Sequence, residues 1–420
     1  MIAYAALWIF VFTLPWETVL VIPGVGVITK VTGALALGCA LLAVVVSGRV
    51  RRLHGLHVAA LLFLAWAAAG LLGHRMQEIP NKFWTYAQLL LVLWMIWELA
   101  PSRSRQLGLL TAYVFGAYIS AFDTIRIFRT QAEVLRRYAA GGADANDVAM
   151  MLALALPMAW YLGMTYQKPL LRWACRGYLP VGLLAIGLTG SRGGMVATVV
   201  ALLIVPWTLT QLSPGRRAVA LVLIVISGAI AIAYVPDRLK ERLATTRTEV
   251  EGGRLGGRVK LLQAGVKAFA LKPVIGYGTS GFKKAVSPWL NQEESQAAHN
   301  SFLSVLVEQG MVGLVIYLTM FFAVFLAVLN LPPLERRFAL VLLATLVTSM
   351  LPLTSEDSKR VWFILAALVG LSQTYVPRIG GAAWQPRPGQ AAPRERQLDA
   401  ARRREPLATP VRNTDRGPIG

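Results

Sequence analysis

The stretch His299-Asn-Ser-Phe-Leu-Ser-Val-Leu-Val-Glu308-Gln-Gly310-Met-Val-Gly313-Leu-Val-Ile-Tyr-Leu-Thr-Met-Phe-Phe-Ala-Val-Phe-Leu-Ala-Val-Leu-Asn330-Leu331 has a single acid, Glu308, and no lysine or arginine. One bilayer crossing needs roughly 20 apolar residues. This run is longer than that, so it predicts a re-entrant or outer helical piece followed by a full span. Eleven other apolar runs near membrane length surround it, at about 2–14, 32–47, 56–73, 83–100, 106–122, 147–165, 178–190, 195–211, 218–235, 338–354 and 361–376. The runs 2–14 and 178–190 are short and must borrow flanking residues or break. Composition agrees with this reading. Hydrophobic residues make up 56% of the 420, charged residues 15%, and mean hydropathy is +0.55. A soluble chain cannot hide that much apolar surface behind so little charge. The predicted fold is therefore an all-α polytopic membrane protein of about 12 transmembrane helices.

Charge placement tests the count. Arg49/Arg51/Arg52, Arg103/Arg105, Lys168/Arg172/Arg176, Arg216/Arg217 and Arg336/Arg337 all fall on one side when spans are counted. Short basic links mark the cytoplasmic side, which puts both termini inside. The net charge of +21 is thereby assigned to cytoplasmic loops and tail, and no nucleic-acid partner is expected. The apolar start reads as a first span or signal anchor rather than a cleaved signal. Residues 377–420 hold nine arginines against four acids and read as a disordered basic cytoplasmic tail, in contact with membrane lipid at most generically. Residues 1–376 form the membrane domain. Cys39 and Cys175 are the only cysteines, one inside an apolar run and the other in a basic link, so neither a disulfide framework nor a metal cluster is expected.

Three outward segments are more polar than topology requires. The first, 123–146, carries Arg126, Arg129, Arg136, Arg137, Asp144 and Asn146. The second is the short turn Thr189-Gly-Ser-Arg-Gly-Gly194. The third is the large loop 236–298, with eleven Lys/Arg against six Asp/Glu. Such a loop suits either a solvated segment resting on anionic lipid or a basic chamber for a phosphorylated substrate. Arg192 sits between two apolar runs, where an unpaired buried arginine costs roughly 2–3 kcal/mol; its glycine neighbours permit close helix approach and leave room for amide donors. Within the loop, 258–269 has helical period, with Val259, Leu262, Val266 and Phe269 as one apolar stripe of an interfacial helix. Gly276, Gly278 and Gly281 match the letters of a dinucleotide fingerprint but lack its βαβ context.

His299 stands where the loop enters the long apolar run, followed by Asn300 and Ser301, both suited to capping a helix. Nine residues further, Glu308 lies about 13 Å along and on roughly the opposite helix face, so the two do not form a simple pair. A buried intramembrane acid is functional or is paired with an arginine.

These residues together resemble the O-antigen ligase and polymerase family. His299-Asn300, nine residues, then Gly310-Met-Val-Gly313 reproduces its H-[NSQ]-x9-G-x-x-G motif. Thr189–Gly194 looks like its small-Ser-Arg-Gly turn. Gly257-Arg258, with Pro273-Val-Ile-Gly-Tyr-Gly278 and Phe282, is similar to its G-R…P-L-x-G-x-G…F loop, and Asp144-Ala-Asn146-Asp147 is similar to its D-x-N element. The resemblance covers roughly 120–376. Two departures stand out: Val274 replaces the leucine after the loop proline, and Val-Lys-Leu-Leu follows Gly-Arg where the family often has a tryptophan. Arg254 and Arg258 each follow a glycine, and Arg258 is the better match.

The resemblance implies a metal-independent transferase of the GT-C type that needs no cofactor. Such an enzyme moves a glycan from an undecaprenyl-pyrophosphate donor to an acceptor hydroxyl at the periplasmic face of the bacterial inner membrane. It further implies Arg192 and Arg258 as pyrophosphate ligands and His299 as general base. Ser191, Asn300, Arg254, Arg126, Arg129, Asn146, Lys359 and Arg360 are expected to contact substrate. Fixed arginines suit a leaving group that already carries its diphosphate, and a neutral imidazole suits a base near pH 7. A ligase joining the glycan to lipid A core and a polymerase using a second lipid-linked repeat need the same donor site. A protein O-oligosaccharyltransferase is a third variant. A flippase is the alternative of another class, but transport sites usually lie at the midplane between repeats, and no repeat is present.

Overall fold

In the computed structural model, residues 1–72, 79–131, 137–210, 213–237, 257–290 and 297–375 are described; Arg254, Arg136 and the tail 377–420 lie outside them. The helices are α1 (Ile2–Thr13), α2 (Ile28–Ser47), α3 (Gly55–Ala69), α4 (Asn81–Leu99), α5 (Arg103–Gln131), α6 (Ala145–Thr165), α7 (Pro169–Thr189), α8 (Arg192–Leu202), α9 (Ile204–Leu209), α10 (Pro214–Tyr234), α11 (Arg258–Leu271), α12 (Phe282–Val286), α13 (Ser301–Leu329), α14 (Pro333–Met350) and α15 (Lys359–Gln373). A two-stranded hairpin, β1 (Val21–Ile22) against β2 (Gly26–Val27), is the only sheet among the described residues.

Each of the twelve apolar runs is helical among the described residues. Five segments are both long and apolar enough to cross a bilayer: α2, α5, α6, the α8–α9 pair and α13. Helices dominate because hydrocarbon offers no partner to a backbone N–H or C=O, and a helix satisfies both within itself. The chain is an all-α membrane protein.

Burial sorts these segments. Helix α6 is the central one, 89% buried over its apolar window, whereas α2 is 22% buried. Helix α6 packs on α5, α7, α8 and α14, with Ala149, Ala153, Ala155 and Ala159 fully buried; small side chains let its neighbours approach closely. Helix α13 divides along its length into an inward stripe (Tyr317, Met320, Phe321, Val324 and Val328) and an outward one (Val315, Leu318, Phe322, Leu326 and Leu329). Both faces are apolar, so the outer one requires lipid.

The start of α13 packs with the 257–290 segment rather than with the rest of its own helix. Gly310 breaks the helix at φ 65°, ψ −170°, which divides the long run much as its length implied. Ahead of the break, Leu303 and Val307 pack with Leu261, Ala264 and Ala268 of α11 and with Phe282 and Val286 of α12 in a separate apolar cluster. The loop segment 273–278 docks on the break through backbone bonds. Tyr277 donates to the Val307 carbonyl at 3.0 Å, Gly278 to Glu308 at 2.8 Å, and Met311 to Pro273 at 2.8 Å. A Cβ on Gly276 would stand 2.5 Å from the Glu308 oxygen, and one on Gly310 would stand 2.1 Å from the Val274 oxygen. Both glycines also have positive φ, so the two glycine motifs form one backbone joint.

Helix α11 packs on the protein through its small-residue face and leaves part of the predicted interfacial stripe outward. Leu261, Ala264, Gly265 and Ala268 face the protein, while Leu262 and Val266 are exposed. Contact with Leu303 takes the small-residue face, because a Cβ on Gly265 would already touch that leucine at 2.9 Å.

Candidate functional site

The site is built from helix starts that meet at one end of the bundle. Helix α7 ends at Gly190 in the left-handed region, φ 57°. Ser191 then caps α8, its Oγ accepting from Gly194 N at 3.1 Å, which makes Arg192 the first residue of that helix. The glycines that follow serve close packing. A Cβ on Gly194 would stand 2.3 Å from the Ala149 methyl, and one on Gly193 would stand 2.6 Å from Pro352. Asp144 caps α6 by accepting from Asn146 N at 2.7 Å.

Asn146 Oδ1 joins the two starts. It accepts from Ser191 Oγ at 2.8 Å and from the Arg137 guanidinium at 2.9 Å. Arg137 also donates to the Thr189 carbonyl at 2.9 Å. The sequence placed Arg137 in the outer segment but gave no reason to prefer it to its neighbours; among the described residues it is the arginine of that segment that reaches both starts. Arg126 and Arg129 stay exposed. Arg126 is held by Asp123 one turn earlier, at 2.6 Å. That Asp-x-x-Arg spacing was readable as a helix-surface pair.

His299 occupies the left-handed region at φ 46°, unusual for a side chain with a Cβ. Its backbone N–H donates to Thr354 Oγ1 at 2.9 Å. Ser301 bonds the Leu353 carbonyl at 2.8 Å and accepts from Ser355 N at 2.9 Å, so the 353–355 turn pins the histidine's segment from the far side. Asn300 caps α13, its Oδ1 accepting from Phe302 N and Leu303 N, both at 3.0 Å.

A cavity of about 320 Å³ opens at this point, lined by Arg258, Val259 and Leu262 of α11, by His299, Asn300 and Leu303, by Gly193 and Val196 of α8, and by Leu351 and Pro352. The Ser191–Asn146 pair lies in the adjoining cleft across Gly193 and Pro352. Burial, and after it the Arg258 guanidinium, push the His299 imidazole below its ordinary value, with Asp144 and Asp147 opposing. The histidine is therefore neutral near pH 7, with its basic nitrogen available.

Residues 178–318 match the family model described as O-antigen ligase. That segment belongs to the O-antigen ligase/polymerase family. Its members are glycosyltransferase-like, and the resemblance read from the motifs is borne out. No curated protein matches the chain. The matched segment contains Arg192, Arg258, His299 and both motif glycines of α13, whereas Asn146, Arg137, Lys359 and Arg360 lie outside it.

The remaining expected residues fall on another flank. Lys359 Nζ donates to Glu17 at 2.8 Å and to Thr29 at 2.9 Å, which ties the start of α15 to the α1–α2 turn. Arg360 donates to Ser358 at 3.1 Å and lies within electrostatic reach of Glu17 and of Asp147, itself within reach of His299. Glu308 has a partner the sequence did not suggest: Lys82 Nζ meets it at 2.9 Å and Glu356 at 2.5 Å. Among the described residues, no three His, Cys, Asp or Glu side chains gather as a possible metal group.

Proposed function

We propose that the chain is a glycan transferase of the bacterial inner membrane, most specifically an O-antigen ligase of GT-C type. On this reading about twelve helices span the membrane, both termini are cytoplasmic, and the site faces the periplasm. The observation that carries it is the meeting of His299 and Arg258 in one cavity beside the Ser191–Arg192–Gly193 turn. A nucleophile's proton acceptor and a fixed cation for a leaving group stand there within a single substrate's reach.

The chemistry follows from those groups. The neutral His299 imidazole accepts the proton of an acceptor hydroxyl. The oxygen attacks the anomeric carbon in line, the bond to the undecaprenyl pyrophosphate breaks, and the configuration inverts. Arg258 and Arg192 stabilise the charge gathering on the departing diphosphate, and this is what makes a divalent cation dispensable. Held by Arg137 and Ser191, Asn146 keeps the α6 and α8 starts in register so that Arg192 is presented correctly.

The test is transfer from purified lipid-pyrophosphate donor, in detergent without divalent cations, with lipid A core and lipid-linked repeats offered separately. Product on lipid A core is the expected result. A ladder on the lipid carrier would make the protein a polymerase, and donor crossing vesicles without any product would make it a transporter.

A further inference from the structure

A second cavity, of about 490 Å³, lies between α1, α2 and α4, and it shares no lining residue with the cavity at His299. Its size falls within the usual range of small-ligand sites. Buried Leu89, Val92 and Met95 of α4 form one wall. The floor is the Phe10 ring, left open because Gly33 has no side chain to cover it; a Cβ there would stand 3.1 Å from the ring. The groove is two-ended. Lys30 and Lys359 stand at its outer end and no acid lines it, while its inner reach, from Thr29 to Leu37, extends about 12 Å along α2 at the helical rise. Lys359 is engaged by Glu17 and Thr29. Lys30 is exposed and forms no ion pair among the described residues.

An apolar slot open along the least buried spanning helix, with the exposed Lys30 ammonium at its outer end, complements a single hydrocarbon chain bearing an anionic head. The outer end also leads toward the reaction. Lys359 is followed by Arg360, which acts on Asp147, and Asp147 in turn is within electrostatic reach of His299. A transferase that joins two lipid-borne glycans needs two lipid-side openings, and the two cavities stand on different helices.

We propose that the α1–α2–α4 groove seats a hydrocarbon chain of the lipid-linked acceptor, with the acceptor's phosphorylated head on Lys30. This rests on the transferase reading for the acceptor's role, though not for the binding itself. Two arms keep the failures apart. In the first, the full-length protein in nanodiscs is irradiated with a diazirine-tailed phosphatidic acid and, separately, with a diazirine-tailed phosphatidylcholine. Preferential labelling of α2 and α4 peptides by phosphatidic acid, lost in Ala34→Phe and in Lys30→Glu, is expected; equal labelling by the two probes overturns the site. In the second arm, transfer is measured against donor and lipid acceptor in turn. Either variant should raise the apparent KM for the lipid acceptor about tenfold, with the donor KM moving less than about twofold. A rise confined to the donor KM, or no change in either, overturns the acceptor assignment. If the wild type transfers nothing, the transferase reading fails while the labelling arm still decides the groove.

Discussion

His299 and Glu308 flank the same helix start, one just before α13 and one two turns into it, and their surroundings differ in kind. Glu308 is 4% exposed and closed in by Lys82, with Glu356 on the other side of the same ammonium. Ser304 donates to Glu356 at 2.6 Å and Trp362 donates to its carbonyl at 2.9 Å, so this face is filled with protein. His299 instead faces a cavity with Arg258. The first charge set is paired within the chain, one lysine between two carboxylates, and ties α4, α13 and the turn before α15 together; the second is arranged around space. Charge inside a membrane protein thus marks function where it borders a cavity, and assembly where its partners are already present.

Four measurements would break or sharpen that contrast. The largest effect is expected from His299→Ala, which should lower kcat by about 10³-fold, within the range for loss of a general base, with little change in the unfolding midpoint. Comparable loss of stability without selective loss of turnover would put His299 on the structural side.

Lys82→Ala should do the reverse. It leaves two buried carboxylates without their cation, a loss of about 3–5 kcal/mol, read as a lowered unfolding midpoint in detergent. Glu308→Gln should cost less, since the lysine keeps Glu356. An order reversed between these two variants would contradict the sharing of Lys82.

Arg258→Ala removes one of the two influences that hold the His299 imidazole low. A general base works in its neutral form, so the acid limb of kcat/KM should move to higher pH in the variant. The move is partial, because burial, the larger cause, remains. A limb that stays in place would show that the guanidinium does not face the imidazole in the working enzyme.

The smallest effect belongs to Asn300→Ala. Its amide oxygen serves as the α13 cap, so the change should cost about 1 kcal/mol of stability and only a modest part of kcat. Loss of activity as deep as that of His299→Ala would place Asn300 on the substrate instead.

Much of this arrangement was legible in the linear chain. The Thr189–Gly194 turn announced a tight crossing because glycine and a capping serine have few other uses between apolar runs, and the structure uses them for that purpose. The length of the run 299–331 announced a piece followed by a full span, and Gly310 supplies the division. Arg137 was illegible as the arginine joining the α6 and α8 starts. Several arginines crowd 123–146, and tertiary packing around Arg137, with the next residue Tyr138 donating its amide to Leu188 at 3.3 Å, sets its place. Lys82 was illegible for a similar reason. It stands 226 positions from Glu308, and nothing local to either announces the other.

Hydropathy determined the helical class and the positions of the helices, because transfer from water to lipid is settled residue by residue along the chain. Only the tertiary structure decided which charges cancel and which face a cavity. Coulomb energy and desolvation depend on distances across helices, and those distances follow from packing that no local pattern encodes.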